Sequence, residues 1–493
     1  MSKYKCDMCH AFEYEESSGD PSNGVNPGSK PDDLPNEWRC WICGADKNHL
    51  KPEVERTPEQ LQEQIKCPIC GQTHSVTTYV QEQEMESYLA PWRRKEDEIE
   101  AHMTEIEKIS HTNKSLNEPM RTKASVISWD DILILGAQLA TIPLNQNEAV
   151  NTRTIIGPGA KRPMVIETPV FVTHMSFGSL SREVKIALAK GTAAVGTAVG
   201  SGEGGMTDDV IENASNYIFE YVPNKYSVTE SNLRRASAIE IKVGQSAKPG
   251  MGGHLPAAKV TAEIARIRNV PVGQDIISPS HFPDIKDRAD LKRAVEWLRT
   301  TSDGRPIGIK LAAGKIEEDM KIALFSEPDY ITIDGRPGST GSAIKFVKDA
   351  TSVPTILALH RARKFLDRER AEDVSLVITG GLRVSSDFAK ALAMGADAVA
   401  IGIAALIACG CQQYRECDTG KCPLGITTQD PRLRARLIVD YSANKLENFL
   451  RVSTEELKEF ARLTGHDDVH KMSIEDQSTE NSEISGYTNI RHA

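Results

Sequence analysis

The chain has 493 residues, a formal net charge of -10 and 26% charged side chains, and its isoelectric point lies near 5.7. That length exceeds one ordinary domain and fits one large barrel plus a small module, while the acidic balance offers no basic face for nucleic acid. No run approaches the roughly 20 apolar residues of a membrane helix, and Met1 to Cys6 leads straight into a cysteine motif, so a cytoplasmic protein without a signal segment is expected.

The ten cysteines form three C-x2-C pairs and one C-terminal group of four, which is unlike a disulfide framework and favours thiolate metal ligands. Residues 1–52 are polar and turn-rich, with Cys6-x2-Cys9 and Cys40-x2-Cys43 at either end. So little apolar sequence needs a staple in order to fold, and two such knuckles make a tetrahedral sulfur cage for iron or zinc. The residues between them, Tyr4, Tyr14, Gly19-Asp-Pro21, Asn26-Pro-Gly28, Trp38 and Gly44-Ala45, make the segment resemble rubredoxin over almost its whole length. The resemblance implies one iron on Cys6, Cys9, Cys40 and Cys43, with structural zinc as the alternative, and a small core of Tyr4, Tyr14 and Trp38. His10 stands where rubredoxins carry glycine and Trp41 where they carry proline, so strain at the first knuckle is expected.

Residues 53–120 read as a charged linker. It holds a third knuckle, Cys67-Pro-Ile-Cys70 with His74, which suits either an incomplete zinc site or a pair of reduced thiols. Residues 94–110 read as an exposed helix.

From 121 to 460, short β-branched runs alternate with alanine-rich helical stretches, the pattern of parallel strands joined by crossover helices. Strands are expected at 170–173, 238–243, 275–277, 307–311, 330–334, 374–379 and 398–401. Gly380-Gly-Leu-Arg383 and Gly395 to Gly402 lie one βα unit apart, and their free backbone amides favour a phosphate-bearing cofactor over simple tight turns. Next comes Cys411-x5-Cys417-x4-Cys422, closed by Pro423, a spacing that suits an iron–sulfur cluster. Cys409 is a cluster neighbour, a fourth ligand or an apolar core residue. Residues 461–493 read as a polar, disordered tail.

Longer motifs narrow this region further: His174-Met-Ser-Phe-Gly-Ser-Leu-Ser181, Ser201-Gly-Glu-Gly-Gly205, Gln245-Ser-Ala-Lys-Pro-Gly250, Gly252-Gly-His254 and Cys422-Pro-Leu-Gly425. Together they resemble the FMN-binding synthase domain of glutamate synthase, over about residues 125–455. The resemblance implies an α/β fold, a TIM (β/α)8 barrel binding FMN, behind the small rubredoxin-like domain. It implies Met175, Ser176, Gln245, Gly335, Gly338, Gly341, Gly380, Gly381 and Gly402 around the flavin. A 3Fe-4S cluster falls on Cys411, Cys417 and Cys422, with 4Fe-4S as the alternative. Lys248, Glu203 and Arg268 match the charged positions on the substrate side, where cations suit the carboxylates of an oxo acid, and His254 is a further candidate acid.

The implied activity is reduction of 2-iminoglutarate, formed from 2-oxoglutarate and ammonia, to glutamate. The alternatives are another small oxo, imino or hydroxy acid, or a non-catalytic electron-transfer subunit. Residues 1–120 leave no room for the family's amidotransferase, so ammonia comes free or from a separate glutaminase subunit, and a separate electron-donor subunit and a homo-oligomer are also expected. Met251 and His254 stand where the family has glutamate and glutamine, Ser280 to Pro283 differs from its proline-histidine run, and Arg336 to Gly341 replaces a His-Asp-Gly-Gly-Thr-Gly loop.

Overall fold

The computed structural model describes residues 3–9, 12–40, 42–52, 64–66, 73–75, 94 and 96–493. His10, Trp41, Cys67 and Cys70 lie outside the described residues, and with them the expectations of a strained knuckle and of a third metal site. The chain divides into two compact units, Met1–Glu107 and Lys108–Ala493.

In the first unit a three-stranded antiparallel sheet sets Lys3–Cys6 between Glu13–Glu15 and Leu50–Pro52. The expected aromatic core is partly rearranged: Tyr14 and Trp38 are buried with Phe12, Leu34 and Leu50, whereas Tyr4 is half-buried against them. Each buried polar tip finds a partner, as burial requires. Trp38 Nε1 donates to Asp20 Oδ2 at 2.9 Å, and the Tyr14 hydroxyl donates to Ser29 O at 2.7 Å. The exposed helix is shorter than expected, running Met103–Thr112.

The second unit is a closed barrel of eight parallel strands: β1 (Val170–Val172), β2 (Ala198–Gly200), β3 (Asn216–Tyr221), β4 (Ala238–Lys242), β5 (Ile307–Ala312), β6 (Tyr330–Asp334), β7 (Ser375–Thr379) and β8 (Ala398–Ile401), with β8 pairing back onto β1. Two of these differ from expectation. The apolar pair at 275–277 is not a barrel strand; Ile276–Ile277 pairs antiparallel with His254–Leu255. The missing members are β2, three residues inside a glycine-rich run that hides a strand, and β3. Helix α1 (Arg182–Ala193) starts at Ser181, whose hydroxyl accepts from Val184 N. It packs on helix α2 (Val439–Thr464) so closely that a Cβ at Gly191 would stand 2.8 Å from Ala443 O.

Residues 461–493 are not a disordered tail. Gln477–Thr479 pairs antiparallel with Ile132–Ile134 and parallel with Arg491–His492, and Val469, Met472, Ile484 and Ile490 enter the main core. Apolar residues spaced this widely leave the average composition polar, which is why the segment reads as a tail. Residues 108–120, assigned to the linker by sequence, belong to the barrel unit. Among the described residues no helix is long and apolar enough to cross a membrane.

Candidate functional site

The four N-terminal cysteines converge. Cys6 and Cys43 Sγ are 3.7 Å apart, Cys9 and Cys40 Sγ 3.8 Å, and all four lie within 4.8 Å of one another. A tetrahedral metal with sulfur bonds near 2.3 Å has S–S edges of about 3.8 Å, so the cage fits a single iron or zinc ion. Cys6 and Cys40 are buried and Cys43 is exposed, which leaves one edge of the cage open to solvent.

In the barrel, loops at the carboxyl ends of the strands enclose a cavity of about 160 Å³. Its walls bring together Met175 and Ser176 after β1, Glu203 after β2, Gln245 and Lys248 after β4, Gly341 after β6 and Gly402 after β8, with Arg268, His254 and Cys417. Of the expected flavin residues, Gly335, Gly338, Gly380 and Gly381 do not line it. Gly380, at φ +114°, lies so close to Gly335 O that any Cβ would overlap it, and Thr355 Oγ1 donates to Gly380 O at 2.5 Å. These glycines let the loops after β6 and β7 meet the start of the helix Thr355–Glu369.

Two buried cations face the cavity. Lys248 Nζ donates to Ser342 Oγ at 3.2 Å, and burial lowers its pKa to about 8. Arg268 Nη2 donates to Phe177 O at 2.7 Å and its guanidinium lies 5.6 Å from the Tyr226 ring centroid. Its Nε is buried with no hydrogen-bond partner, and burial lowers its pKa to about 10. Among the described residues neither has a carboxylate partner. Buried charge without a counter-charge is costly, and an anionic ligand in the cavity would remove that cost. Glu203, by contrast, is paired with Lys242. His254 is exposed at the mouth, with Nε2 2.9 Å from Asp275 Oδ2. Met251 is exposed and does not line the cavity.

Beneath the cavity lies a charged floor that the sequence reading missed: His174, Glu220, Glu240, Lys242, Lys310, Asp334 and Lys185, all buried or nearly so. The signal was present, since β3 to β6 each carry a charged residue among β-branched and aromatic ones, and alternate strand residues share a face. Glu240 accepts from Thr332 Oγ1 at 2.5 Å and Asp334 from Ser246 Oγ at 2.8 Å. His174, Glu220 and Glu240 lie close enough together for a metal. However, His174 Nδ1 accepts from Gly202 N at 3.3 Å, which puts the ring proton on Nε2, 3.2 Å from Glu240 Oε1. That nitrogen is then a donor, and burial keeps the ring neutral by lowering its pKa.

Cys411, Cys417 and Cys422 line a neighbouring cavity together with Met120, Leu406 and Ile426. Among the described residues they do not all close to within 4.8 Å of one another as the N-terminal four do. Burial opposes a thiolate at Cys422, yet the N–H groups of Thr427, Leu424 and Ile426 outweigh it and lower the pKa. Cys409 belongs to the apolar core and lies outside this cavity.

The family model described as a conserved region in glutamate synthase matches residues 100–467, and the rubredoxin model matches residues 3–50. A glutamate synthase large subunit-like protein of Rhizobium meliloti is 37% identical over 375 residues, covering 72% of this chain and 85% of that protein. An archaeal-type glutamate synthase [NADPH] of Thermotoga maritima is 37% identical over 353 residues, 71% of this chain and 68% of its own. An archaeal glutamate synthase [NADPH] of Archaeoglobus fulgidus is 32% identical over 453 residues, 85% of this chain and 87% of its own.

Proposed function

The chain belongs to the glutamate synthase family, and on that premise we propose that it reduces 2-iminoglutarate, formed from 2-oxoglutarate and ammonia, to glutamate. The observation that carries this reading is the pair of buried cations, Lys248 and Arg268, in one cavity and without carboxylate partners among the described residues. A dicarboxylate supplies the two negative charges that such a wall needs.

In this reading Lys248 and Arg268 hold the substrate carboxylates and orient the carbon that accepts ammonia with loss of water. Glu203, ion-paired with Lys242, orients the imine or relays to its nitrogen a proton taken from solvent. Met175, Ser176, Gln245, Gly341 and Gly402 would hold FMN from the cavity wall and the turn at Gly380 and Gly381 would present amides to its phosphate, whereas the Gly335 and Gly338 amides donate to Thr379 O and Gly335 O. Cys411, Cys417 and Cys422 hold a 3Fe-4S cluster, and Cys6, Cys9, Cys40 and Cys43 hold one iron. When bound, the iron and the cluster supply single electrons in that order and FMN supplies the hydride to the imine carbon. Cys417, shared by the two cavities, supports that order at its inner end.

Of the departures from the family pattern, Met251 is exposed and lies outside the cavity lining, which supports an unchanged substrate, whereas His254 and, from the loop Arg336 to Gly341, Gly341 line the cavity and keep another oxo acid as the second reading. In the test, fully reduced enzyme is mixed anaerobically with 2-oxoglutarate and ammonium. Glutamate and flavin reoxidation are expected together, and only when both reactants are present. Reoxidation by other oxo acids but not by this pair would overturn the assignment.

A further inference from the structure

The two cavities of the barrel unit meet at a wall that includes Met120, Leu406, Cys417 and Thr427, all four of which line both. Leu406 and Thr427 come from the barrel's own helix and the cysteine loop. Met120 comes from a strap at 116–123, upstream of every barrel strand. Its side chain is buried and forms a separate small core with Ile403 and Cys417, against which Cys411 packs.

The strap is clamped at several points. Glu118 N donates to Ala343 O and Met120 N to Thr340 O, both at 2.9 Å, and Lys345 N donates to Leu116 O at 2.9 Å. Arg415, from the cysteine loop itself, donates to Pro119 O at 3.0 Å. Buried Lys348 Nζ bonds Glu118 O at 2.6 Å and pairs with the Glu118 carboxylate at 2.7 Å. These bonds hold Met120 at φ +75°, a region that side-chain-bearing residues seldom adopt. A left-handed methionine held from both sides is costly, and here it turns the side chain inward onto the cysteines.

Resting on the reading that Cys411, Cys417 and Cys422 hold an iron–sulfur cluster, we propose that Met120 is a positioning residue for that cluster. It seals the cluster's cavity where it adjoins the flavin cavity and keeps water and oxygen away from the thiolates. A cluster held by three thiolates gains negative charge on reduction, so a dry site disfavours the reduced form and water admitted through the wall favours it.

The test uses the full-length holoprotein with Met120→Ala and Met120→Leu. The EPR signal of the oxidised cluster, distinct from that of a single tetrahedral ferric ion, is followed in air, and the cluster's potential is titrated. Met120→Ala is expected to lose the signal about 3- to 10-fold faster and to shift the potential upward, while Met120→Leu, which refills the wall, stays near the parent in both. Arg415→Ala, which loosens the strap from outside, is expected to move both readouts in the same direction, and it serves as the test if Met120→Ala does not fold. Equal lifetimes and potentials in parent and alanine variants would overturn the role of Met120. Absence of any cluster signal from the parent protein would instead remove the cluster reading, and this inference with it.

Discussion

Lys248 and Arg268 show how two side chains acquire a function that neither has alone. Each has lost water without gaining a carboxylate from the described residues, so each is an unfinished ion pair. Arg268→Lys removes the fork but keeps the charge, and Lys248→Met removes the charge. Each is expected to raise the KM for 2-oxoglutarate about 10- to 100-fold, the worth of one charge-assisted hydrogen bond, with smaller effects on ammonium. An unchanged KM in both would show that the carboxylates sit elsewhere. Because burial lowers the pKa of Lys248 from 10.5 to about 8, its proton is lost as pH rises through 8. The same KM should be flat below that pH and climb above it in the parent, and stay flat with Lys248→Arg. The sign for stability is the opposite: between pH 8 and 10.5 the unfolded chain binds more protons at this lysine, so its cost to folding shrinks as pH rises through that window.

At the scale of elements, the C-terminal segment and the strap do what sequence-local signals do not announce. Gln477–Thr479 completes a sheet with Ile132–Ile134, and Gln477 Nε2 donates to Lys390 O at 2.8 Å, so the end of the chain ties the segment before the barrel to its outer helices. Ile484 is fully buried. Ile484→Ala is expected to destabilise the barrel unit by about 3 kcal/mol, a typical cost for truncating a buried aliphatic side chain. The check is the urea midpoint followed by far-ultraviolet circular dichroism; a change within error would mean that the segment does not contribute to the cooperative core.

At the scale of the whole molecule, the chain joins a metal-stapled module to a flavoenzyme barrel. Cys40→Ser opens the four-sulfur cage and is expected to abolish the ferric-thiolate absorption of the module, because so small a core folds only around its metal. Glutamate formation driven by a reductant that acts directly on the flavin should persist, while turnover with a donor that enters through the module should fall by at least about tenfold. Loss of both activities together would argue against the module as the entry point for electrons.

The cysteine spacings, the βα alternation and the long motifs around Lys248 and Arg268 were legible in the chain, because metal ligation, strand periodicity and phosphate-binding turns each impose local patterns. Those patterns led to the rubredoxin-like module, the barrel and a part of the cavity wall. What they could not carry was pairing between distant residues. Strand β2 is three residues of a glycine-rich run and exists only because β1 and β3 flank it. The charged floor is affordable only because β3, β4, β5 and β6 place acids and lysines side by side, and Gly380 is required by a neighbouring loop as well as by its own turn. The last segment is polar on average yet holds five buried apolar side chains, Ala461, Val469, Met472, Ile484 and Ile490. Sequence by itself determined the four-cysteine cage and the family of the barrel, since ligand types and spacings are local. Tertiary structure decided which charges were left unpaired and which methionine covers the cysteines, since burial and counter-charge depend on the neighbours that folding brings.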